Sequence, residues 1–61
     1  MANLTTKELS SLEDQLTSEK TAVAKFKHYA DETTDPALKA TLTEIACQHQ
    51  AHFDKLYTLL G

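Results

Sequence analysis

The sequence holds almost none of the residues that punctuate a chain. Glycine occurs once, at Gly61, and proline once, at Pro36. Turns draw heavily on those two residue types, so their scarcity excludes a fold of many short elements and favours two long helices. Cysteine also occurs once, at Cys47, which excludes an internal disulfide. A lone free thiol suits a reducing interior better than export. No purely apolar run exceeds three residues, too short for a transmembrane span or for the apolar core of a signal peptide. The expectation is therefore a cytoplasmic chain that is not secreted by a signal peptide. Positive charge is scarce as well: six basic residues stand against nine acidic ones, for a net charge of -3 at pH 7. Without a basic patch to follow phosphates, nucleic acid and anionic membranes are not expected partners.

Sixty-one residues make a single domain, 1–61, with little core to bury. Chains this short are stabilised by disulfides, a metal or self-association. The single cysteine leaves the last two.

What the sequence does have is helical periodicity. In the first half, apolar positions run Leu9, Leu12, Leu16, then Glu19, then Val23, Phe26 and Ala30. In the second they run Leu38, Leu42, Ile45, then His49 and His52, then Leu56 and Leu59. Steps of three and four make both runs heptad seams. Ala22 and Tyr29 widen the first stripe; Ala46, Phe53 and Leu60 widen the second. Glu13, Lys20 and Lys27 make a polar flank, and Asp14, Ser18, Lys25 and His28 face outward.

The boundaries follow from caps. Thr5 with Glu8 three residues on reads as a capping box, and Leu4 with Leu9 as a hydrophobic staple. The residues before them read as a frayed tail. Asp35 followed by Pro36 is a cap followed by a first-turn proline, which stops any continuous helix. The fold class is thus all-α: helix 1 over 5–32, helix 2 over 36–60, joined by a link short enough to force an antiparallel hairpin. Setting Ala30 opposite Leu38 pairs the seams as Phe26/Leu42, Val23/Ile45, Glu19/His49, Leu16/His52, Leu12/Leu56 and Leu9/Leu59. The combined apolar face is broader than one hairpin covers, which predicts a homodimer forming a four-helix bundle. Another protein's helices offer a different cover for the same face.

Glu19, His49 and His52 are the candidate site residues, because they place polar groups mid-helix where a bundle wants leucine. Two readings are open. One is a hydrogen-bonded Glu/His centre that fixes register and dimer state. The other is a metal site shared between two chains. Imidazole and carboxylate donors suit zinc, iron or manganese rather than calcium or magnesium. A dimer carries two Glu19 carboxylates, which balance one divalent ion. Cys47 lies about 200° around the helix from Ile45 and points away from the seam. Tyr57 sits beside the stripe as a packing residue. No nucleophile, phosphate loop or acid/base carboxylate pair stands outside the seam, so no catalytic residues are assigned and an enzyme is not expected.

The run Glu19-x-x-Ala22-x-x-x-Phe26-x-x-Tyr29-Ala30 resembles the first helix of a ferritin-like, rubrerythrin-type hairpin. His52-Phe53-Asp54-Lys55-Leu56 is similar to the part of the second helix that carries a ligand histidine. The resemblance implies metal ligation by Glu19 and His52, with metal storage or redox chemistry; His49 falls where that family has a glutamate. From Leu4 to Leu60, through Thr33-Thr34-Asp35-Pro36-Ala37-Leu38-Lys39, the chain also resembles short clostridial spore coat proteins of the coat F type. That resemblance implies a structural, spore-associated protein whose partners are itself and other coat proteins.

Overall fold

The computed structural model describes residues 3–61. The frayed tail expected before Leu4 falls mostly on residues 1 and 2, outside the described residues. Helix α1 spans Thr6–Glu32 and helix α2 spans Pro36–Tyr57, followed by a 3₁₀ turn over Thr58–Leu60. The expected boundaries hold to within a residue, except that the last turn of helix 2 tightens. Such tightening is common where the final carbonyls of a helix lack partners.

Local chemistry accounts for both starts. At the first, the Glu8 amide donates to Thr5 Oγ1 at 3.0 Å and the Thr5 amide donates to Glu8 Oε1 at 3.0 Å. This reciprocal pair is the expected capping box. At the second, Asp35 Oδ1 accepts from the amides of Ala37 and Leu38 at 2.9 and 3.2 Å. Pro36 then occupies a position where a missing N–H costs nothing. Between the helices, Thr33 ends α1 in an extended conformation, and its Oγ1 accepts from the Asp35 amide at 3.2 Å.

The two helices pack against each other as an antiparallel hairpin. Leu12, Leu16, Val23 and Ala30 of α1 and Ala46 of α2 are buried. Glu19, Ala22, Phe26, Leu42, Ile45, His49, Phe53 and Leu56 are half-buried. The seams are therefore the contact, with one shift. Ala46, expected only to widen the stripe, is the most buried residue of this core at 2% exposure, while its neighbour Ile45 is half-buried. A methyl group lets the helices approach closely there, and the contact line moves to one edge of each seam. The other edge stays open: Tyr29, Leu38 and Leu59 are 44, 47 and 46% exposed. Leu9 is exposed too.

Away from the seam, Cys47 is exposed, as its position on the helix implied. His28 is a surface residue, with its Nε2 4.0 Å from Glu32 Oε1. Tyr57 stacks on Phe53 with ring centroids 5.9 Å apart, yet stays 58% exposed. The Cα atoms span 46 × 16 × 10 Å, a rod one layer thick. No helix is long and apolar enough to cross a membrane among the described residues.

Two outcomes follow for stability. Ala46→Leu forces four-carbon bulk into the closest approach and should cost about 1–3 kcal/mol, the usual range for overpacking; urea unfolding measures it. The Glu8 carboxyl is held below its ordinary value of 4.5, first by the backbone N–H of Thr5 and then by its hydroxyl. A depressed folded-state value means the capping stability is present above 4.5 and is lost as pH falls through the folded value. Amide exchange at residues 6–9 should therefore accelerate on acidification, beyond intrinsic rates, in wild type. Glu8→Gln should flatten that added response.

Candidate metal centre

Glu19 comes from the middle of α1, and His49 and His52 from the second half of α2. The hairpin brings them together across thirty positions of sequence. The Nδ1–H of His49 donates to Glu19 Oε1 at 2.6 Å, and His52 Nδ1 lies 3.1 Å from Glu19 Oε2. One carboxylate thus engages both imidazoles, one with each oxygen. The side chains of Glu19, His49 and His52 are 18, 30 and 61% exposed, so the cluster runs from the helix contact outward to the open edge.

The expected layers put Glu19 opposite His49 and Leu16 opposite His52. The first pairing stands. In the second, His52 also reaches back to Glu19. Each Cα–Cβ bond tilts toward the N-terminus of its own helix. In an antiparallel pair, Glu19 and His52 therefore lean toward each other. The same tilt carries Phe26 and His49 together: their rings stack with centroids 5.6 Å apart and planes 6° apart. His52 meets the His49 ring edge-on at 6.0 Å. Phe26 also holds Tyr29 edge-on at 6.2 Å, and the Lys25 ammonium sits 5.9 and 6.0 Å from those two ring centroids. Simple layer pairing misses the part Phe26 plays in holding His49, whereas the direction of side-chain tilt would have found it.

The hydrogen bond from His49 is the main reason the Glu19 carboxyl is held below its ordinary value. Desolvation pulls the other way, and the charges of His49 and His52 add to the lowering. A carboxylate that stays ionised in a half-buried position is a good metal donor. Glu19, His49 and His52 can each offer one ligand atom, and these atoms lie within 4.8 Å of one another. They are close enough together to hold a single ion. Two imidazole nitrogens and one carboxylate oxygen match zinc, iron or manganese. One hairpin supplies all three donors. Sequence reading also left out Gln15 and Lys55, which line a cavity beside Glu19 and His52. Their place one turn from Glu19 and from His52 was the available signal.

Comparison of the chain with protein-family models, curated proteins and solved structures found no match in any of the three. The likeness to ferritin-like hairpins and coat F proteins therefore rests on the residues quoted for it above.

The Glu19–His49 contact has a spectroscopic consequence. In metal-free protein the Nδ1–H of His49 should be held in its hydrogen bond to Glu19 and exchange slowly with water, read from nitrogen-15 correlation spectra of the imidazole. Glu19→Ala removes the acceptor, and that proton should then exchange faster.

Proposed function

We propose that this chain is a structural, self-associating module: a homodimeric four-helix bundle whose Glu/His centre binds a divalent transition metal within each hairpin. The single observation that carries the metal reading is the convergence of three donor atoms within 4.8 Å midway along a face otherwise built of apolar residues. A metal there would tie α1 to α2 through bonds to Glu19, His49 and His52, in a chain with no disulfide to do so. Zinc, iron and manganese are the ions that this donor set favours.

Surface area supports the dimer. The chain exposes 4746 Å², whereas a compact monomer of 6.8 kDa exposes about 4,000 Å². The excess, taken for two chains, is on the order of 1,500 Å², the size of a standard protein–protein interface. The open edge bearing Tyr29, Leu38 and Leu59 is the surface a second copy would cover. A coat-type role, with other coat proteins as further partners, is the biological setting suggested by the resemblance of residues 4–60. A metal-free Glu/His centre that only sets register is the second reading, favoured by the hydrogen bond from His49 to Glu19.

Light scattering should return a mass about twice 6.8 kDa. Protein purified without a histidine tag should bind about one zinc per chain and melt at a higher temperature with it. His49→Ala and His52→Ala should each lose that gain. A dimer indifferent to zinc, iron and manganese would leave the register reading in place, and a cooperatively folded monomer would remove the bundle.

A further inference from the structure

The donor set leaves a deficit of both charge and ligand number. A divalent ion bound by one carboxylate and two neutral imidazoles keeps a net charge of +1. Zinc centres complete at least four positions, and the triad fills three. Among the described residues, no other histidine, cysteine or acidic residue belongs to the group. Something outside the triad must supply a donor, and in a half-buried place an anion does so best, because unbalanced buried charge is costly.

The surroundings say what kind. Glu19 and His52 form part of the wall of a cavity of about 370 Å³, together with Gln15, Lys55, Leu56 and Leu59. His49 does not line it. Lys55 brings a second positive charge to the wall, Gln15 brings amide donors, and Leu56 and Leu59 give an apolar side. This combination of a cationic end and an aliphatic side suits an anion that carries a short hydrocarbon tail.

We infer that the cavity beside Glu19 and His52 is a binding site for a short-chain aliphatic monocarboxylate, held by the metal of the triad and by Lys55. The inference rests on the metal reading of the same residues. It goes beyond it in assigning the cavity a ligand and in giving Lys55 and Gln15 a role. In a four-helix bundle the cavity becomes part of the interior between helices, where such proteins build their ligand sites.

Cobalt(II) is the probe, added to the full chain at one equivalent, with its visible absorption reporting coordination. Titration with propionate should change the cobalt spectrum saturably. Lys55→Gln, an exposed substitution that leaves the helix contact untouched, should raise the propionate dissociation constant about two- to fivefold, as expected for a partly exposed charge pair. Circular dichroism checks that the variant is folded. A cobalt spectrum that ignores propionate would overturn the inference and leave the metal centre standing, with a residue of the second copy or water as the remaining donor. Equal propionate binding by wild type and Lys55→Gln would overturn it as well, by taking the anion out of this cavity. No cobalt spectrum from folded chain would overturn the metal centre itself.

Discussion

The break at Asp35–Pro36 is the constraint from which the rest of the structure follows. Proline there forbids one continuous helix, and the aspartate cap starts a second helix at once. With so short a link, the second helix can only fold back along the first. Folding back fixes which residues meet, and so a carboxylate at position 19 comes against imidazoles at positions 49 and 52. The polar centre is a consequence of where the chain turns, as much as of which residues it carries.

Much of this was open to sequence reasoning because it rests on short-range chemistry. The capping box at Thr5 and Glu8, the cap at Asp35 and the proline at the first helical position are all local, and each appears as its residues imply. The seams were legible because apolar residues recur at helical spacing. So was the meeting of Glu19 with His49. Less legible was anything that depends on how two surfaces settle together. Ala46 became the deepest residue because a small side chain permits close approach, and no count of apolar residues weighs that. Phe26 stacked on His49 because side chains lean along their helices, a direction that pairing by position number ignores. Whether a second copy covers the open edge depends on a surface that a single hairpin leaves unpartnered.

The geometry of the centre serves two readings that pull in different directions. The hydrogen bond from His49 to Glu19 pairs the two groups directly. The same two groups, with His52, are arranged closely enough to serve one ion. A carboxylate already ionised and imidazoles already gathered reduce the reorganisation that binding would demand. Stacking of Phe26 on His49 adds to this, because it restricts the ring before any ligand arrives.

The slenderness of the hairpin carries a thermal consequence. Among the described residues its buried apolar core amounts to Leu12, Leu16, Val23, Ala30 and Ala46, in a body whose Cα atoms span only 10 Å in the thinnest direction. Little apolar surface leaves water when one such chain folds, so the heat capacity change on unfolding is small for a single hairpin. A small heat capacity change flattens the stability curve, and the small enthalpy that accompanies it broadens the melt. A lone hairpin would lose structure gradually over a wide span of temperature, with no sharp transition to mark its midpoint.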